Sequence, residues 1–535
     1  MSSFIPLKKR HPVPRWRFSR RAQSTGELVP ISGKISDDSL KISDTERGSI
    51  LALLDDFTRS PYPMIAADLF NTAYIIGDLE GLKISSDYII SNASKFSQRL
   101  VELAQENDGS LRNHEIPELD DGKQFIDNEN SQFKITKEMI GSQIRDARAR
   151  LAILPDNAVA LVDLAHGYAA SGRKQDAERA VFAALRLGEN RFVLRAAARM
   201  YLHFNDPQRA LYLLRRSSLV HVDPWVLAAE VAIATDLEIE PPHLSLARKM
   251  LRSDSLPPFH LSELAAGVGS FDFLVGNHAR QGRRAIRLSL REPTENALAQ
   301  ARFLAERRFI DPEELVPSIN SQPPHSNEFA GFYNYQVEKF EESLLSFRAW
   351  LRDEPFSSRP TGYIAFLSHT LTGDAREATI VTQHGLRVNP DNFTLKNNLV
   401  YYLLQSGKTA QARQEFEKID TSMTNKDNSV DSGKEDVESN KIILKATHGL
   451  LQFKEGESLY GEQLYQDAIL NAAQSGRLAL QTMALIHLAE QQFLVGNLEA
   501  EKTLSKARDL LNQGKDRTID SSLALKRVEK IILSK

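Results

Sequence analysis

The sequence contains no cysteine, and its formal net charge is only −3 over 535 residues. Without cysteine there are no disulfides, no thiolate zinc sites and no thiol nucleophile. That fits a reducing compartment, and the chain is read as cytoplasmic. A charge so close to zero gives no global attraction to nucleic acid or an anionic membrane. No apolar run approaches the roughly 18 residues that a membrane-spanning helix needs. Sustained period-two alternation is missing as well, so almost no sheet is expected. The opening MSSFIPLKKRHPVPRWRFSRR lacks both the apolar stretch and the small-residue cleavage site of a secretory signal. Pro6, Pro12 and Pro14 oppose the amphipathic helix of an organelle transit peptide.

Catalytic signatures are also missing. There is no HExxH, no GxSxG and no GxGxxG following a strand. The 13 histidines are scattered without ligand spacing, and paired carboxylates such as Asp120-Asp121 and Glu313-Glu314 sit in solvated runs. The expectation is a non-enzyme with no catalytic, cofactor or metal site.

One triplet tests that expectation. Gly407-Lys408-Thr409 spells the end of a phosphate-binding loop. Such a loop needs a glycine five residues before the second one, so that its backbone can wrap a phosphate. Tyr402 stands there, inside the apolar run Leu399 to Leu404. The triplet reads instead as a turn between helices. The same turn recurs 34 residues earlier at Gly373, and Ala378 and Ala412 share that offset.

The best-formed unit is NAVALVDLAHGYAASGRKQDAERAVFAALRLGEN, residues 157–190. Leu161, Leu164, Ala165, Tyr168, Gly172, Ala177, Val181 and Ala184 resemble the tetratricopeptide repeat pattern. A second unit carries Leu194, Ala197, Ala198, Tyr201, Ala210 and Leu214, and a third opens with Trp225, Ala228 and Ala229 before the insertion DLEIEPPHLS. The resemblance covers most of residues 136–515. It implies an all-α fold of tetratricopeptide-like helix-turn-helix repeats stacked into a right-handed superhelical solenoid. It also implies that the first helix of each pair lines a concave groove for peptides.

Composition divides the chain further. Residues 1–42 read as a disordered basic arm with seven Lys or Arg before the first acid, Glu27. Residues 43–107 read as helical, a degenerate repeat. An acidic mobile connector follows at 108–135, since too few apolar groups are present to offset the entropy of ordering. The repeat array then runs over 136–325 with degenerate units and over 326–420. Residues 421–440 form a second acidic mobile loop. C-terminal units follow over 441–515, and 516–535 forms a capping helix.

Candidate binding residues come from helical phase. Arg195, Arg199 and His203 recur every four residues on one first helix and share a face, with Asp163, His166 and Glu230 on its neighbours. Arginines there would fork onto a carboxylate; the alternative is a solvated face with local ion pairs. The lysine and asparagine set of family members that clamp acidic C-terminal peptides is not reproduced. Phe329 and Phe332 belong to an aromatic cluster that either anchors a peptide or packs in the core. Arg280, Arg284, Arg287 and Arg291 form a basic stripe on a second helix, placed on the convex side. Arg15, Trp16 and Arg17 mix base and aromatic, as segments that contact phosphates and bases do. The expected function is a non-enzymatic scaffold, adaptor or regulatory subunit. Its partner would be one or more proteins, bound as a peptide segment or folded subunit, with no membrane involved. The alternative is a nucleic-acid-associated subunit of a multiprotein complex, such as a bacterial defence or toxin-type assembly.

Overall fold

The computed structural model describes residues 12–13, 44–59, 61–76, 78–96, 98–106, 137–153, 158–187, 191–253, 256, 258–315, 326–426, 434–512 and 518–533. Among them are 25 α-helices and no strand. The connector expected at 108–135 and the triplet Arg15, Trp16 and Arg17 lie outside the described residues, as does all of the arm at 1–42 except Pro12 and Val13.

Helices α1 (Asp44–Arg59), α2 (Pro63–Ile76), α3 (Leu79–Ser91) and α4 (Gln98–Glu106) come first, followed by α5 (Lys137–Ile153). Pairs then follow in order: α6 (Ala158–Ala170) with α7 (Lys174–Leu187), α8 (Arg191–His203) with α9 (Pro207–Arg216), and α10 (Pro224–Asp236) with α11 (Leu244–Met250). Next come α12 (Pro258–Leu274) with α13 (Ala279–Ser289), then α14 (Glu295–Glu306). The remaining pairs are α15 (Asn327–Gln336) with α16 (Phe340–Asp353), α17 (Ser358–Thr372) with α18 (Ala375–Val388), and α19 (Phe393–Gln405) with α20 (Thr409–Lys426). The last are α21 (Lys434–Glu455) with α22 (Ser458–Gln474), α23 (Leu478–Leu494) with α24 (Ala500–Asn512), and the single helix α25 (Ile519–Leu533). Much of the loop expected over 421–440 is helical, and residues 427–433 lie outside the described residues. Helix runs on to Lys426 and resumes at Lys434, because extending a helix that is already packed costs little.

Local chemistry sets the helix ends. Asp223 caps α10 by accepting from the Trp225 and Val226 amides, and Pro224 occupies the first turn, where its missing N–H costs nothing. Gly407 ends α19 in the left-handed region at φ 72°. The Lys408 amide donates to the Leu403 carbonyl at 2.9 Å and the Gly407 amide to Leu404 at 3.2 Å, the paired bonds of a Schellman turn. The phosphate-loop lookalike is therefore a helix stop.

The chain forms two compact units, one built mainly on residues 10–131 and 136–329, the other mainly on 330–535. In each, a first helix packs on its second helix and on the first helix of the next pair. In the earlier unit, Leu53, Phe57, Ile65, Leu69 and Phe70 of α1 and α2 share an apolar cluster with Trp225 of α10 and Leu261 of α12. The N-terminal helices thus lie against the first helices of later pairs. In the later unit, Gly331 lets α15 and α16 approach closely: a Cβ there would meet the Phe347 ring at 2.7 Å. Helix α25 packs on α23 and also reaches back to α17 and Tyr335.

Candidate partner-binding faces

The first helices are buried on nearly every side and still carry charged and polar groups. In α10, every residue from Pro224 to Thr235 is buried. Leaving such groups unpaired is costly, so their partners define what each face does.

In the earlier unit, Arg195 of α8 places Nη1 2.5 Å from Glu263 Oε2 and Nη2 3.1 Å from Oε1 on α12, and Nη1 also donates to the Trp225 carbonyl at 3.0 Å. Both side chains are 1% exposed. Arg195 is consumed as an internal tie across α8, α10 and α12 and is not presented to a ligand. Helical phase assigned it to a groove face, but Trp225 of α10 and Glu263 of α12 take up its guanidinium. Arg191 repeats the motif with Asp223, Nε to Oδ2 2.8 Å, and its guanidinium lies 5.3 Å from the Trp225 ring. Glu230 is also engaged, accepting from Arg215 at 3.0 Å and lying 3.0 Å from His243 Nδ1. Asp163 and His166 are buried on α6, whereas Arg199 and His203 remain half-buried. Further along, Gln300 of α14 donates to the Pro12 carbonyl at 3.1 Å, and Pro12 is buried.

In the later unit, the first helices enclose a polar cluster. His369 Nε2 of α17 lies 3.0 Å from the Tyr401 hydroxyl of α19. His487 Nδ1 lies 3.1 Å from Glu490 Oε2, both on α23, and Arg527 of α25 donates to the same oxygen at 2.6 Å. Burial pushes His369 down to about 3 and His487 down to about 4, the latter against its bond to Glu490. Burial alone would raise Glu490, but Arg527 and His487 outweigh it and hold the carboxyl well below its usual range. Burial also lowers Lys454 of α21, with Arg527 adding to the effect.

The aromatic candidates face inward. Phe332 is 4% exposed, with ring centroids 5.1 Å from Phe347 and 5.0 Å from Tyr363, and Phe329 is fully buried. Neither offers an open ring to a peptide, because the small Gly331 between them draws the helices together. Arg280, Arg284, Arg287 and Arg291 are all exposed along α13 and just beyond it, with Arg287 paired to Glu314 at 2.9 Å.

Sequence reasoning missed Glu263, Asp223, Glu490 and Arg527. Glu263 and Glu490 were detectable in principle: each is an acid inside a long apolar stretch, FHLSELAAGV and ALIHLAEQQF. Burial without a base would be prohibitive there. Nothing local names the base.

These features define a class: stacked helical pairs of tetratricopeptide type in which several first helices carry buried, paired charges. No known family profile matches the chain, and no curated protein sequence matches it. Among solved structures, the human IFIT1 dimer with PPP-AAAA is 14% identical, covering 71% of this chain and 96% of that chain, with a TM-score of 0.34. Yeast Tom70 is 14% identical, covering 91% of this chain and 96% of that chain, with a TM-score of 0.28.

Proposed function

We propose that the chain is a non-enzymatic scaffold or adaptor that binds polypeptide on the faces lined by its first helices. One observation carries this reading: both units already hold a segment of the chain itself there. In one, the backbone carbonyl of Pro12 is taken up by Gln300 of α14. In the other, α25 lies against α17 and α23 and is fixed by Tyr335 and Glu490. Surfaces that accept a backbone carbonyl and an amphipathic helix in cis have the chemistry to accept them in trans.

The test is affinity capture of the full chain from its native host, followed by cross-linking and mass spectrometry. The expected result is one protein at fixed stoichiometry, cross-linked to the first helices and lost in Arg199→Glu/His203→Glu or in a variant of the α25 face. Cross-links confined to the second helices would sink the reading. The exposed arginines on α13 favour a second reading, docking to a nucleic-acid backbone. Nuclease-sensitive recovery, abolished by Arg280→Gln/Arg284→Gln/Arg291→Gln, would put it first.

A further inference from the structure

A helix that merely ended the stack would touch the pair before it. Helix α25 does touch that pair, packing on α23 and pairing Glu529 with Arg508 of α24 at 2.8 Å. It also crosses to the start of the unit. The Tyr335 hydroxyl of α15 donates to Asp520, both buried, and Lys526 pairs with Glu338 at 3.1 Å. Leu523 enters the aromatic cluster of Phe332, Phe347, Trp350 and Tyr363. Ala524 and Val528 enter the other cluster, with Tyr401, Tyr402 and Met483. A single helix therefore touches both the first and the last helix pairs of the later unit.

The contacts have a register. An acid at Asp520 meets a tyrosine hydroxyl, an apolar pair follows at Leu523 and Ala524, an arginine at Arg527 meets Glu490, and a branched residue follows at Val528. All but Arg527 are buried, and that arginine nearly so. The opposite face, with Lys526 and Lys530, is exposed. This is the anchor spacing by which grooves receive amphipathic helices. The buried Glu490–Arg527 pair contributes more to orientation than to net stability, because desolvation offsets most of its attraction. Such a pair sets which helix fits and in which direction.

We infer that α25 is an intramolecular plug in a helix-receiving site, and that the ligand class of this site is an amphipathic helix presenting the same key. That key is an acid, an apolar pair three and four residues on, an arginine seven on and a small branched residue eight on. Partner engagement and α25 docking are mutually exclusive. The inference rests on the reading of the first-helix faces as polypeptide receptors and narrows it to one unit and one ligand class.

The probe is a fluorescent peptide of residues 516–535, titrated by anisotropy against the full chain. The docked α25 competes at the high effective concentration of a tethered ligand, so the unaltered chain binds the peptide weakly. Ala524→Pro breaks α25 without altering any receptor residue, and that chain should bind the peptide at least tenfold more tightly. A peptide carrying Arg527→Glu should bind the same chain at least tenfold more weakly. Because the chain has no cysteine, Glu338→Cys/Lys526→Cys joined by a short bismaleimide locks α25 in place, and the locked chain should not bind. Circular dichroism checks that each variant is folded, and Leu523→Asp replaces Ala524→Pro if that chain aggregates. Equal affinity for the unaltered, unplugged and locked chains would overturn the plug. Equal affinity for the two peptides would overturn the key. Peptide binding with no cellular partner recovered would leave this inference standing and count only against the adaptor reading.

Discussion

Arg195 and Glu263 illustrate how a buried charge can masquerade as a binding residue. Their fork is fully desolvated, so each needs the other. Arg195→Ala leaves Glu263 uncompensated, and a loss of about 3–5 kcal/mol is expected. Arg195→Met/Glu263→Met removes both charges and should fall close to the unaltered chain. Urea unfolding of the two variants decides this: equal losses would mean that the pair contributes through packing alone. His369 and His487 make a different prediction. Both fold as neutral rings, with values near 3 and 4 against 6.5 when unfolded. Their contribution is intact above about pH 6.5. As pH falls the unfolded chain takes up the protons, so stability declines, with the loss complete below about 4 for His487 and about 3 for His369. At pH 5 the cost is roughly 2 kcal/mol for each ring. Denaturation midpoints at pH 7 and pH 5 should show the drop, and His487→Gln should lessen it. Glu490 acts in the same sense in a lower window, since its depressed carboxyl is protonated only when more acid is added.

Many first helices in this chain end on one left-handed residue, and its identity decided how much of the fold was legible. Where the residue is glycine, as at Gly172, Gly373 and Gly407, the period shows in the sequence. Where Asn205, Glu238, Arg308 or Glu338 adopts the same positive φ, the turn is just as sharp and the signal disappears. The third unit therefore seemed to dissolve after Ala229, although Glu238 turns it as Gly407 turns a later one. The strain predicts stability changes. A Cβ on Gly407 would meet nothing within 4 Å, so Gly407→Ala costs only the backbone term, about 1 kcal/mol. Arg308→Gly should shift stability upward, by up to about 1 kcal/mol. Thermal melts of the two variants moving in the same direction would reject this account. Helix α25 was legible as an amphipathic helix. Its position was not, because an apolar face states that a helix is covered and is silent about what covers it. Arg527 and Glu490 lie on separate helices, and no local pattern links them.

The two kinds of surface on this chain respond oppositely to salt, and this separates the two functions considered for the whole molecule. Contacts on the first-helix faces are buried and weakly screened, whereas the arginines of α13 are exposed and fully screened. Net charge adds nothing, at −3 over the whole sequence. Of the four arginines in the α13 row, Arg287 is already offset by Glu314. Three uncommitted cations would release about three counterions from a nucleic acid, a log–log salt slope near −3. Affinity for the true partner should change little between about 0.05 M and about 0.2 M salt if that partner is a protein held by the first helices. Over that interval a phosphate backbone held by the arginine row would lose on the order of 50-fold. Arg280→Gln/Arg284→Gln/Arg291→Gln should leave the protein complex unaltered. A steep slope that this triple substitution flattens would move the functional surface from the inner faces of the helix pairs to α13.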